Sequence, residues 1–207
     1  MTVSVQKPSS NHESGTPTWE VAHLFPPQGG WTDGDYLTLK GNRLVELSDG
    51  VLEVLPMPTQ AHQLVVMYLS RILFDFVSAK NLGVVLVAPL PVRLWQDKFR
   101  QPDVVFMLQE HAGRRNNEFW DGADLAIEVV SPDDRRRDLE IKRREYARAA
   151  IPEYWIVDPQ QKTVTVFRLA GAEYTVHSES GIGGVVTSAV LSGLSVDVRG
   201  VFAAAED

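Results

Sequence analysis

Cysteine is missing from all 207 residues, which excludes disulfides, thiolate zinc sites and cysteine nucleophiles. Long apolar runs are missing too. A membrane helix requires ~18 apolar residues or more, and the best stretch, residues 83–92, is broken by Pro89 and Pro91. The first residues, MTVSVQKPSS, have no basic start leading into an apolar core, so no secretory leader is expected. These absences point to the cytoplasm and away from a membrane. Positive charge is in deficit: the formal net charge is −7, which argues against a broad polyanion-binding surface. No Gly-x-Ser-x-Gly, phosphate loop or dinucleotide fingerprint occurs, and there are no repeats or low-complexity tracts.

What is present is an ordinary globular composition, 44% hydrophobic. The length suits one domain, expected over residues 19–207. Residues 1–18 are polar and rich in Pro, Ser and Asn, and are expected to form a disordered tail.

The most informative stretch is 102–159. Leu125-Ala126-Ile127-Glu128-Val129-Val130 reads as a strand buried on both faces. Alternation puts Glu128 on the face of Ala126 and Val130. A carboxylate there must be protonated, paired or metal-bound. Asp103 opens a second strand-like run, Asp-Val-Val-Phe-Met, directly after Pro102. Two carboxylates on neighbouring strand ends repel, and a divalent cation resolves the repulsion; hard oxygen ligands suit Mg²⁺ or Mn²⁺. On a regular helix over 133–149, Asp138, Leu139, Lys142, Tyr146, Ala149 and Ala150 share one side. Lys142 is then the one basic residue of that helix among its apolar positions, with Asp138 and Tyr146 one turn away on either side. Asp103, Glu128 and Lys142 form the candidate catalytic set. A structural reading stands beside it: a buried Glu128–Lys142 pair, with Asp103 capping a turn.

Pro102-Asp103, Glu128-Val129-Val130-Ser131-Pro132, Asp138, Lys142, Tyr146 and the run from Ile151 to Pro159 together resemble the Uma-two family of restriction-endonuclease-type proteins, within the PD-(D/E)XK nuclease superfamily. The resemblance extends over Val45-Glu46-Leu47, Asp49-Gly50, Met57-Pro58 and His62, and so spans most of the chain from about Trp31. It implies a restriction endonuclease-like α/β/α core with a mixed central sheet, an N-terminal β-hairpin and a C-terminal antiparallel extension. It implies metal-dependent hydrolysis of phosphodiester bonds in nucleic acid, DNA first, with a homodimer suited to cutting both strands. The superfamily lysine usually sits two residues after the glutamate, a place held here by Val130; the resemblance implies that Lys142 has taken over its role. In that reading Asp103, Glu128 and the Val129 carbonyl hold Mg²⁺ or Mn²⁺. Asp138 orients Lys142, and Tyr146 packs beneath it or bonds it. Glu46 and His62 are secondary candidates, as is Gln101 by its position before Pro102. Two rivals are a nuclease-fold binding or regulatory protein without chemistry, and an interaction domain with purely structural charges.

The remaining pattern predicts a short helix capped by Thr32 and ending near Lys40, stopped by Gly41-Asn42, then a hairpin of 43–47 and 51–55 around Ser48-Asp49-Gly50. It predicts a helix over 60–79 with Leu64, Met67, Tyr68, Ile72 (with Leu73) and Phe76 as its apolar stripe. Strands are expected at 83–87 and 91–95, then a polar turn at 96–101, and a polar loop at 110–122. Further strands are expected at 154–157, 163–169, 173–177, 185–190 and 194–198, then a terminal helix at 201–205. The arginines between 135 and 148 read mostly as a solvated helix face.

Overall fold

Runs rich in Val, Ile and Phe that alternate between two apolar faces need cover on both sides, and this requirement dictates the architecture. The computed structural model describes residues 25–39, 44–132 and 135–206. The expected tail at 1–18, the stop at Gly41-Asn42 and the acids Asp133 and Asp134 lie outside the described residues. In chain order the strands are β1 (Val45–Ser48), β2 (Val51–Val54), β3 (Gly83–Val87), β4 (Val92–Trp95), β5 (Lys98–Arg100), β6 (Val104–Leu108), β7 (Trp120–Asp121), β8 (Leu125–Val129), β9 (Glu153–Asp158), β10 (Thr163–Ala170), β11 (Glu173–Gly181), β12 (Val185–Thr187) and β13 (Ser195–Asp197).

The central sheet has the order β11-β10-β9-β8-β6-β3. It is mixed: β8 and β9 are parallel, and their neighbours pair antiparallel. Alternation divides its side chains. Val104, Phe106, Leu125, Ile127, Val129, Trp155 and Val157 meet the long helix Gln60–Lys80 and the terminal helix Val198–Ala203 on one face. Val105, Met107, Ala126, Val130, Tyr154 and Ile156 meet Tyr146 and the second sheet on the other. The result is the expected α/β/α arrangement around a mixed sheet.

The second sheet, β2-β1-β5-β4-β7, corrects three expectations. The hairpin of β1 and β2 does not stand alone but seeds this sheet. Its turn takes Asp49 at φ 50° and Gly50 at φ 82°, the paired left-handed conformation that an Asp-Gly turn allows. Residues 98–100, expected in a polar turn, form the buried strand β5, with Lys98 and Arg100 each 2% exposed. Within 110–122, expected as a loop, Trp120–Asp121 pairs in parallel with β4.

Thr32 caps the helix Asp33–Thr38 through a reciprocal capping box with Asp35. Thr59 accepts the His62 amide at the start of Gln60–Lys80. The buried stripe of that helix is Val65, Val66, Leu69, Leu73 and Val77, while Met67 is 60% exposed. The expected stripe is met in part: Leu73 is buried and Tyr68, Ile72 and Phe76 pack at the margin of the core, while Met67 faces out, because so many positions from Leu64 to Val77 are apolar that the period alone does not centre the face. The crossing segment between β8 and β9 departs from a regular helix: Arg137–Lys142 is π-helical and Arg143–Arg148 continues as α-helix. Beyond β11, β12 and β13 form a separate two-stranded sheet rather than edges of the central one.

Candidate functional site

Pro102 turns the chain into β6, and Asp103 sits immediately before it. Strands β6 and β8 pair Val104 with Ile127, so one further step sets Asp103 across from Glu128. Asp103 Oδ2 accepts the Val129 N–H at 2.7 Å and lies 3.2 Å from His62 Nε2. The long helix thus delivers His62 from its first turn to the same strand ends. The other ring nitrogen of His62 is buried without a hydrogen-bond partner among the described residues.

Glu128 is 2% exposed on the face that receives the crossing segment. Lys142 Nζ donates to its Oε2 at 2.8 Å, and the Tyr146 hydroxyl donates to its Oε1 at 2.6 Å. Lys142 Nζ also lies 3.1 Å from Asp138 Oδ1. Asp138 accepts the Ser131 N–H at 3.4 Å, and its carbonyl accepts the Tyr154 hydroxyl at 3.0 Å. Asp103, Glu128, Lys142, Asp138, Tyr146, Val129 and His62 are therefore brought together. Tyr146 bonds Glu128 rather than Lys142. The π-helical turn matters here, because single π turns shift the register of a helix face and recur at functional sites. Lys142 ends that turn and Tyr146 follows in regular α-helix, and both reach the same carboxylate.

The electrostatics follow from the inventory. Burial pushes the Glu128 carboxyl up to about 8; Lys142 pulls it down, while Asp103, Asp138 and Glu46 push it further up. Burial opposes the Lys142 charge, but Glu128, Asp138, Glu46 and Asp103 outweigh it and hold the ammonium well above its usual range. With several carboxyls around one ammonium, the ammonium stays charged and the proton taken up by the cluster goes to Glu128. Burial opposes protonation of His62, yet Asp103 and Asp138 raise its pKa above the usual value.

Two expected residues sit elsewhere in the network. Glu46, fully buried, accepts Arg100 at 2.7 Å and the Gln101 N–H at 2.8 Å, and bonds Arg137. Burial works against its charge, but Lys142, Arg100 and Arg137 bring its pKa down to about 2. The Gln101 side chain donates to the Tyr36 hydroxyl at 3.1 Å and to the Val45 carbonyl at 3.0 Å.

The arginine side of this network escaped the sequence reading. Arg100 forks onto Glu145 at 2.7 and 3.0 Å, Lys98 reaches Glu145 at 2.6 Å, and Arg137 meets Glu53 at 2.6 Å. One signal was available: Lys98-Phe99-Arg100 alternates as a strand does, with like charges on either side of an aromatic residue.

As a cation site, the set is two carboxylates, Asp103 and Glu128, with one backbone carbonyl, Val129. No group of three or more His, Cys, Asp or Glu side chains among the described residues forms a ready metal cage. Hard oxygen donors and surplus negative charge at one point nonetheless match Mg²⁺ or Mn²⁺ in chemistry and sign.

Residues 34–199 match the model of the Uma2 family, described as "Putative restriction endonuclease". The fold is similar to a crystal structure of a "putative nuclease" from Anabaena variabilis, with a TM-score of 0.70 and 19% identity over 84% of this chain and 99% of that one. No curated protein matches the chain. The family match runs from the helix after Thr32 to the terminal helix and takes in both carboxylate-bearing strand ends and the crossing segment, so the chain belongs to the Uma2 family.

Proposed function

We propose that this protein is a divalent-metal-dependent endonuclease that hydrolyses phosphodiester bonds in DNA. The observation that carries the reading is the Lys142 ammonium, 2.8 Å from Glu128 and 3.1 Å from Asp138, with Asp103 close enough to act on its charge, in a cluster with more carboxyls than cations. Asp103 and Glu128 would hold Mg²⁺ or Mn²⁺ with the Val129 carbonyl. When bound, the ion supplies Lewis-acid stabilisation of the phosphoryl oxygens and a lower pKa for the attacking water.

The chain supplies the rest. Lys142 donates to the attacking water and to the negative charge that grows on the phosphoryl oxygens. Asp138 holds the ammonium in place from one turn away. Tyr146 fixes the orientation of Glu128, and His62 fixes that of Asp103. Water adds to phosphorus and gives up a proton to bulk water, the bond to the leaving oxygen breaks, and that oxygen takes up a proton from bulk water. No helix among the described residues is long and apolar enough to cross a membrane. The reading includes a cytoplasmic location, and two copies where both strands of a duplex are cut.

Supercoiled plasmid incubated with the protein and Mg²⁺ or Mn²⁺ tests this. Nicked or linear product that disappears with chelator, and with Asp103→Ala or Glu128→Ala, is the expected outcome. Titration calorimetry should show the same two variants losing metal affinity while remaining folded. A mobility shift with no cleavage under either metal would make the protein a nucleic-acid-binding relative without chemistry. Unchanged metal affinity in both variants would remove the ligand assignment.

A further inference from the structure

The acidic chain poses a problem for any polyanion substrate, and the second sheet suggests how a phosphate is met. Glu46 on β1 and Glu53 on β2 are directly paired across the hairpin. Both present Oε2 to the same two guanidiniums, Arg100 NH1 and Arg137 NH2. The two carboxylates are not held alike. Glu46 is fully buried and also accepts a backbone N–H, whereas the Glu53 side chain is 31% exposed and, among the described residues, pairs with the two arginines. Arg100 keeps a second, forked partner in Glu145. Arg137 is 16% exposed and lies at the start of the π-helical turn that ends in Lys142. Glu46 accepts the Gln101 N–H two residues before Asp103, and Arg137 heads the turn that ends in Lys142, so this arginine pair adjoins the proposed reaction site.

We propose that Arg137, backed by Arg100, is a phosphate subsite for the nucleic-acid backbone, and that the Glu53 carboxylate occupies it in the free protein as an internal stand-in. Glu53 is the member that can leave at lower cost, because its side chain is partly hydrated whereas Glu46 is fully buried. Its departure releases the Arg137 NH2 hydrogen that Glu53 had accepted, and a phosphate oxygen can take its place, as guanidinium geometry suits. The contact would orient a phosphate next to the scissile one and would suppress binding of weaker anions. This inference rests on the nuclease reading for its substrate, but its test needs no cleavage.

The test is fluorescence anisotropy of a labelled DNA duplex and of its single strand. It uses the full chain in Ca²⁺ without Mg²⁺, across a salt series. Glu53→Gln keeps the side chain's shape and removes its charge, and should tighten binding about 3- to 10-fold, the size expected on removing one partly screened like charge. Arg137→Gln should weaken binding and lower the log–log salt slope by about 1. Glu53→Gln added to Arg137→Gln should give no further gain. Because Arg137→Gln leaves Glu46 short of a partner and so puts folding at risk, Glu53→Gln is decisive, with a thermal melt as its control. Unchanged or weaker binding by folded Glu53→Gln overturns the subsite while leaving plasmid cleavage, if seen, intact. Tighter binding by Glu53→Gln without any plasmid cleavage would keep the subsite and sink the nuclease.

Discussion

Two carboxylates, Glu46 and Glu128, are almost equally buried in neighbouring clusters, yet one is held at about 2 and the other is pushed up to about 8. The difference lies in their company. Around Glu46 each buried or half-buried acid is matched by a cation: Glu46, Glu53 and Glu145 face Lys98, Arg100 and Arg137, with the largely exposed Asp49 also meeting Lys98 at the edge. Around Glu128 they do not: Asp103, Glu128 and Asp138 gather at Lys142. Desolvation is comparable, so the balance of charge decides the outcome. A closed cluster of this kind serves to fasten elements together. One with surplus negative charge calls for another cation, and only the second is a candidate for chemistry.

The largest expected effect uses pH to break the two apart. Glu46 has a pKa below its ordinary value, so its stabilisation is present above about 4.5 and is lost as pH falls towards about 2. Glu128 has the reverse sign. Its contribution is full below about 4.5 and is lost as pH rises through about 8 in metal-free protein, by up to about 5 kcal/mol. Denaturant melts in chelator from about pH 5 to about pH 9 should show the alkaline loss in wild type and a flat profile in Glu128→Gln, with the acid loss from Glu46, below that window, kept in both. A wild-type curve as flat as the variant's would erase the contrast.

Next comes Glu46→Gln, which leaves arginines short of a partner in a buried setting. It should cost about 3–5 kcal/mol in denaturant unfolding. Glu128→Gln, which relieves crowded carboxyls, should cost far less in metal-free protein. Equal losses would mean that both clusters are structural.

Lys142→Met sharpens the functional half of the comparison. Cleavage should fall about 100- to 1000-fold, as for loss of a donor to developing oxyanion charge. Calorimetric metal affinity should hold or tighten, since a competing cation is gone. Retained cleavage would remove Lys142 from the chemistry. The smallest effect is expected for Tyr146→Phe, about 1–2 kcal/mol in stability from a lost bond to a charged group. Its metal affinity should change little.

The contrast also explains which parts of the site were legible in the sequence. Asp103, Glu128, Lys142 and Tyr146 each break or complete a local apolar pattern, so alternation and helical period placed them inward before any partner was known. Asp49-Gly50 fixed the hairpin through turn geometry alone. Lys98 and Arg100 were misread as a polar turn, because a buried charge looks like a solvated one until its partner is identified. Those partners are remote: Glu145 lies 45 positions from Arg100, and Glu46 lies 91 from Arg137. The phase of Gln60–Lys80 was obscured by too many apolar residues, and the π-helical turn leaves no mark on a periodicity that assumes regular α-helix. Local rules therefore found the unbalanced cluster and overlooked the balanced one.

The parallel pairing of β8 with β9 requires the chain to leave one end of the sheet and travel back before the next strand begins. Lys142 rides on that return path, while both acids belong to the sheet itself. Lengthening or shortening the path should slide the amine relative to the acids without unpairing a strand, so tuning of reactivity among relatives can proceed by small insertions there, as on an adjustable arm bolted to a fixed bench.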